Sequence, residues 1–266
     1  MTPVDYRGQT TLVTGASAGI GVAFARELAR RGSHLVLVAR RADRLEALAA
    51  ELTAAHGVRV TALPLDLSRP AAGRALAEQV DHRGLEVTSL INNAGFGTHG
   101  PFHREDPRRL TEEINVNVAN LVDTSRAFIE RLRDAGTGVL VNVASIGAYQ
   151  PAPNMAVYAA TKAFVLSFTE ALWYESLGTG LRVLTLSPGA TSTEFFDVLG
   201  SQEVDRGPGR QTPQQVVATA MKALDRRNPP PSAVSGRLNA LLSHSARFFS
   251  RRRAVTMMGA ITARAN

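Results

Sequence analysis

The sequence predicts a single α/β domain: a doubly wound parallel sheet of six to seven strands with helices on both faces. Three observations predict it. Short runs rich in Val, Leu and Ile alternate with longer stretches of helical period. The chain has 266 residues, and a chain of that size buries roughly three-quarters of its unfolded surface around one core. Its 44% apolar and 20% charged residues are those of an ordinary globular protein. The absence of cysteine excludes thiol catalysis, thiolate metal sites and a disulfide scaffold, and it agrees with a reducing compartment. No basic stretch followed by an apolar run opens the chain, and no run of about eighteen apolar residues occurs. The expectation is a cytoplasmic protein without a metal centre.

Six strands are expected at Thr10–Val13, Leu35–Ala39, Val58–Leu65, Val87–Ile91, Gly138–Val143 and Leu181–Leu186. Helical period fills the intervals near Ile20–Arg31, Asp43–His56, Ala71–Val80, Pro107–Asp134, Ala152–Ser176 and Pro213–Arg226, and a seventh, weaker strand falls near Ser232–Val234. Residues 1–230 form the expected α/β unit, and 231–266 a basic extension packed on or beside it. Gly189–Thr212 has no clear period, and a loop of that length inside a domain is usually a lid or disordered.

The first βα turn reads Thr14-Gly15-Ala16-Ser17-Ala18-Gly19-Ile20-Gly21. Gly15 permits a tight turn, Gly19 lets backbone approach a pyrophosphate, and Gly21 lets helix and strand pack closely. The free N–H groups and dipole of the following helix then face the phosphates. Methyltransferases that bind an adenosyl cofactor use a similar turn, so the turn alone leaves both readings open.

The spacing TGxxxGxG, in a chain of this length, resembles the short-chain dehydrogenase/reductase family in its non-extended form, and later motifs follow in that family's order. Asp66-Leu67 after the third strand matches the position whose carboxylate meets the adenine amino group. Asn92-Asn93-Ala94-Gly95 after the fourth matches the family's NNAG turn beside the cofactor. Pro188-Gly189-Ala190-Thr191-Ser192-Thr193 resembles its PGxxxT turn, in which the threonine reaches the nicotinamide carboxamide; Thr193 fits that spacing. The resemblance covers roughly residues 8–225 and implies a Rossmann-type fold. It also implies pairing of the two long helices, 107–134 and 152–176, in a homodimer or homotetramer.

The second strand ends Val38-Ala39-Arg40-Arg41, with no carboxylate to bind a ribose 2′-hydroxyl or repel a 2′-phosphate. A guanidinium makes paired hydrogen bonds to phosphate. Arg40, aided by the Ser17 hydroxyl, is therefore assigned to the phosphate and NADP(H) is the expected cofactor. Arg41 stays open between that role and a solvated charge opening the next helix.

Tyr158 and Lys162 are four residues apart in an expected helix, so both project from one face. A phenol ionises near pH 10, but a cation about 5 Å away at an effective dielectric of about 20 favours the phenolate by roughly 3 kcal/mol, about two pK units. That brings Tyr158 towards the range of a general acid–base group. Of 30 basic residues only two are lysines, which suits a position needing a compact ammonium. The resemblance implies that Lys162 also binds the nicotinamide ribose. It implies too that Ser145 hydrogen-bonds the substrate oxygen and that Asn117, with Asn115 as the neighbouring alternative, holds a water extending the proton path. Asn120 stands where many family members have glycine. Ser145 does not lie in a GxSxG turn or a recognisable hydrolase elbow, so it is a polarising group rather than a nucleophile. Phe195, Phe196, Val198 and Leu199 form an expected apolar flap over the substrate.

The expected activity is NADPH-dependent reduction of a ketone or aldehyde, reversible as an alcohol dehydrogenation, with a lipid-like or acyl carbonyl as one substrate class. The alternative is a non-catalytic dinucleotide-binding sensor or scaffold. The net charge of +7 invites a nucleic-acid reading, but residues 1–225 carry 22 basic and 23 acidic groups, whereas eight arginines and no acid follow Asp225. The tail lacks the spaced aromatic platforms that single strands use, so no nucleic-acid partner is expected. From Arg237 to Arg253, Leu238, Leu241, Leu242, Phe248 and Phe249 fall near one helical face. That face can lie on an anionic membrane surface, cover the substrate pocket, meet a partner subunit or stay solvated.

Overall fold

The computed structural model describes residues 4–199, 210–245 and 250–263. Seven parallel strands form one sheet in the order β3-β2-β1-β4-β5-β6-β7. They are β1 (Thr10–Thr14), β2 (His34–Ala39), β3 (Val60–Pro64), β4 (Ser89–Asn92), β5 (Val139–Val143), β6 (Arg182–Ser187) and β7 (Ser232–Val234). The helices are α1 (Gly19–Arg30), α2 (Ala42–His56), α3 (Ala72–His82), α4 (Pro107–Ile114), α5 (Asn120–Ala135), α6 (Ala156–Glu175), α7 (Phe195–Leu199), α8 (Pro213–Leu224), α9 (Arg237–Ser245) and α10 (Arg251–Ala263).

Strands buried on both faces explain the near-continuous apolar runs. In β2, Leu35 and Leu37 pack with Phe24 and Leu28 of α1 and Leu45 of α2, in a core that α8 completes. Val36 and Val38, on the other face, pack with Leu76 of α3 and Phe128 of α5. Chain order reverses between β1 and β4, and an open α/β sheet binds ligands in the crevice at the carboxyl ends of such a switch point. The turns after β1 and β4 flank that crevice.

The elements differ from expectation where side chains or backbone interrupt the period. The helix expected over Pro107–Asp134 is divided by a π-helical segment, Asn115–Ala119. Wider turns of this kind are frequent at functional sites. The helix expected from Ala152 begins at Ala156, since Pro153 restricts the residue before it and Asn154 has φ 64°. The weak seventh strand is present and pairs with β6, Thr185 opposite Ser232. α8 starts at a capping box in which Thr212 and Gln215 satisfy each other's backbone N–H groups. The single helical face expected from Arg237 to Arg253 is not one helix: Arg251, Arg252 and Arg253 open the separate α10. Phe248 and Phe249 lie outside the described residues. No helix among the described residues is long and apolar enough to cross a membrane.

Candidate active site

The glycine turn has the backbone its composition predicts. Gly15 and Gly19 sit at φ +66° and +53°, a region that L side chains resist. A Cβ on Gly21 would lie 2.2 Å from the Gly15 carbonyl oxygen, so helix and turn approach as closely as glycine allows. Ala18 supplies no side-chain cap to α1, which leaves the first N–H groups of the helix, including that of Ile20, for an anion. From the turn after β4, the Asn93 amide donates to the Thr14 carbonyl at 2.9 Å. The backbone N–H groups of Asn93 and Ala94 both donate to the Thr14 hydroxyl.

The two arginines after β2 have different surroundings. Arg41, not Arg40, engages Ser17, with Nε and Nη2 at 3.2 and 3.0 Å from its Oγ. Nη1 of Arg41 pairs with Glu194 at 2.8 Å. Arg44 also meets Glu194, so this carboxylate ties the start of α7 to the start of α2, and its pKa is held below the usual carboxylate value. The hydrogen bonds from Arg44 and Arg41 are the cause. Arg40 is exposed; its charge and the hydrogen bonds from Ser68 hold the Asp66 carboxyl below its ordinary pKa, against partial desolvation. Leu67 is buried in the core beneath.

The turn after β6 is held by its own polar groups. Pro188 accepts from the Ile146 N–H at 2.9 Å, and the Thr191 hydroxyl donates to the Gly189 carbonyl at 2.9 Å. Thr191 is buried and bridges to Gln211, whereas Thr193 faces the glycine turn: a Cβ on Gly19 would lie 2.8 Å from its methyl carbon.

Ser145 follows β5, and its Oγ accepts from the Gly147 N–H at 3.1 Å. That hydroxyl also lowers the pKa of the Tyr158 phenol by hydrogen bonding, but burial pushes the phenol up to about 12. The downward shift expected from Lys162 is not found; the phenol is raised instead. The ammonium lies 5.8 Å from the centre of the Tyr158 ring and donates to the Val143 carbonyl at 3.0 Å; it is buried, which lowers its own pKa to about 8. A low-dielectric site penalises each charged form before any pairing is counted.

Asn117 occupies the π-helical segment. Its amide donates to the Phe96 carbonyl at 2.8 Å and to the Thr161 hydroxyl at 3.1 Å, and its Oδ1 accepts from the Phe96 N–H. A Cβ on Gly95 would meet Asn117 Oδ1 at 2.9 Å and Lys162 Nζ at 3.2 Å, so this glycine opens the space in which the two side chains meet. Asn115 contributes its carbonyl to a different neighbour, the Asn120 amide. Over the phenol, the Phe195 ring of the flap lies 5.4 Å from the Tyr158 ring, with Phe196 and Leu199 buried behind it. The Val198 side chain and residues 200–209 lie outside the described residues.

Sequence reasoning missed four contributors. Glu194 and Arg41 are 153 positions apart, and no local pattern pairs them. Gly97 lies against the phenol, its Cβ direction ending 2.9 Å from the Tyr158 ring. Asn239 of α9 closes over Gly189. Glu113 is fully buried; its spacing of four from Asn117 was the available signal.

The chain matches the short chain dehydrogenase family over residues 9–204, and it belongs to that family. It is 40% identical over 187 residues to a sulfoacetaldehyde reductase of Chromohalobacter salexigens, covering 69% of this chain and 72% of that one. It is 30% identical over 220 residues to the ketoacyl reductase HetN of Nostoc, covering 83% of this chain and 76% of that one. A short-chain dehydrogenase of Sphingobium yanoikuyae, solved in complex with NADPH, superposes with a TM-score of 0.79 at 36% identity, over 90% of this chain and 94% of that one. The protein is thus an oxidoreductase of the class that interconverts C–OH and C=O groups.

Proposed function

We propose that the protein is an NADP(H)-dependent carbonyl reductase, reversible as an alcohol dehydrogenase. The observation that carries the reading is the convergence, at the carboxyl ends of β4 and β5, of the Ser145 and Tyr158 hydroxyls with Lys162 one helical turn beyond. The glycine turn fits a dinucleotide: Gly15, Ser17, Gly19, Ile20 and Gly21 hold its pyrophosphate side, and Asp66 and Leu67 its adenine. Asn93, Ala94, Gly95, Pro188, Gly189, Thr191 and Thr193 border its nicotinamide half, where Thr193 orients the ring. Arg40 and Arg41 with Ser17 supply the charge that favours a 2′-phosphate.

When bound, the nicotinamide supplies or accepts the hydride. The chain's own groups do the rest. In reduction Ser145 donates a hydrogen bond to the substrate oxygen, and Tyr158 gives that oxygen its proton. Lys162 stabilises the phenolate so formed, and Asn117 holds the water that restores the proton. Phe195 excludes bulk water from the face of the phenol. Tyr158→Phe removes one oxygen from this arrangement. It is expected to lose nearly all turnover with a ketone and aldehyde panel while retaining NADPH binding, and full activity in that variant would refute the assignment.

Substrates of lipid-like or acyl character fit the apolar flap. Residues 1–230 act as the dinucleotide-binding and catalytic unit, with 231–266 as an extension whose first strand completes the sheet. A homodimer or homotetramer is supported by an apolar groove of about 530 Å³ beside α4 and α6, lined by Phe102, Ile114, Val118, Val157 and Ala160. The exposed Leu238 and Leu241 of α9 and the arginines that open α10 favour contact of this cytoplasmic protein with an anionic membrane surface.

A further inference from the structure

A fully buried carboxylate stands next to the proposed acid–base groups with no role in the steps above. Glu113 closes α4 four residues before Asn117, so the two lie about one turn apart on the helix that the π-segment continues. Its side chain has no solvent exposure. Thr98 presents its hydroxyl and N–H towards the carboxyl group, yet neither carboxyl oxygen completes a hydrogen bond of ordinary geometry. An acid left in this way is unusual, because buried carboxylates are normally paired or saturated with donors.

The groups facing it explain its position. Lys162, from α6, attracts its ionised form; Tyr158, also from α6, is made a weaker acid by its charge; and Glu105, before α4, opposes its ionisation. Arg109, one turn earlier on the same helix, is turned elsewhere: its guanidinium stacks on Phe96 at 4.1 Å and pairs with Glu112. Lys162 is equally buried, and its ammonium is hydrogen-bonded to a neutral carbonyl. The negative charge that favours its protonated form is Glu113.

We propose that Glu113 is the buried counter-ion of Lys162, a positioning residue that keeps this ammonium charged and so sets the pH range over which Tyr158 is served by a cation. Glu113 and Lys162 act on each other through space, with no direct ion pair between them. Burial raises the Glu113 pKa to about 7 and lowers that of Lys162 to about 8, so the two groups are drawn towards each other near neutral pH. With rising pH the lysine loses its proton; with falling pH the carboxyl gains one. The proposal rests on Tyr158 and Lys162 being the acid–base pair, but its consequence for Lys162 is measurable without turnover.

The chain's two lysines, Lys162 and Lys222, make that measurement direct. With 13C at the lysine ε-carbons, NMR titration resolves two signals, and the exposed Lys222 serves as the internal control. Glu113→Gln is expected to lower the Lys162 midpoint by about one unit or more, to leave Lys222 unmoved, and to shift the basic limb of kcat/KM towards acid by the same amount. Glu113→Asp, which keeps the charge, should restore much of the midpoint. In the unmodified protein the Lys162 signal should also show a smaller inflection near neutral pH as Glu113 ionises, a readout that needs no variant to fold. A Lys162 midpoint unmoved or raised in Glu113→Gln, or a single-step wild-type titration, overturns the proposal. Full turnover by Lys162→Met would instead overturn the catalytic reading and leave the NMR result standing.

Discussion

Arg41 offers the most direct test of how the chain selects its cofactor. In the structure its guanidinium is shared between the Ser17 hydroxyl, at 3.0 and 3.2 Å, and the Glu194 carboxylate, at 2.8 Å. The pair is 39% and 44% exposed on its two sides, so its net contribution to folding is only about 0–1 kcal/mol, and Arg41→Gln should fold normally. A charge-assisted hydrogen bond to a phosphate contributes about 1.5–3 kcal/mol, from which up to about 1 kcal/mol is lost if Glu194 must release the guanidinium. The expected net loss in Arg41→Gln is about 0.5–3 kcal/mol, a roughly 2- to 150-fold weaker Kd for NADPH, with NADH binding unchanged. Glu194→Gln removes the competitor and should tighten NADPH by up to about fivefold. Titrating both coenzymes by nicotinamide fluorescence against the two variants and the parent protein decides the matter. If NADPH and NADH weaken equally in Arg41→Gln, or if neither variant alters NADPH, Arg41 does not face the 2′-phosphate.

Asn120 ties the start of α5 to the loop after β3: its amide donates to the carbonyls of Leu67 and Arg69 at 2.8 and 3.0 Å, and its Oδ1 accepts from the Ala72 N–H at 2.9 Å. Asn120→Ala strands these groups at a buried position, and about 2–4 kcal/mol of stability should be lost, lowering Tm by roughly 5–15 °C; a thermal melt within about 2 °C of the parent would contradict the bonding described. Membrane contact by the tail predicts that the protein sediments with anionic vesicles at low salt and that removing residues 237–266 abolishes it. Absence of sedimentation by the full chain rules that contact out.

The sequence determined the elements and their order. Alternation of apolar runs with helical period followed from burial of both sheet faces, so six strands were legible and a seventh was marked weakly by Ser232–Val234. The glycine turn was equally legible, because Gly15 and Gly19 adopt backbone angles that other residues resist. The Tyr158–Lys162 spacing alone places both side chains on one helical face. Tertiary structure alone decided what depends on contacts remote in the chain. It set Arg41 between Ser17 and Glu194, and it made burial rather than the neighbouring ammonium the dominant influence on the Tyr158 phenol. It also buried Glu113, which its spacing of four from Asn117 hints at but cannot establish. Local period and backbone angle are properties of neighbours along the chain, whereas desolvation and charge pairing are set by whatever the fold brings alongside.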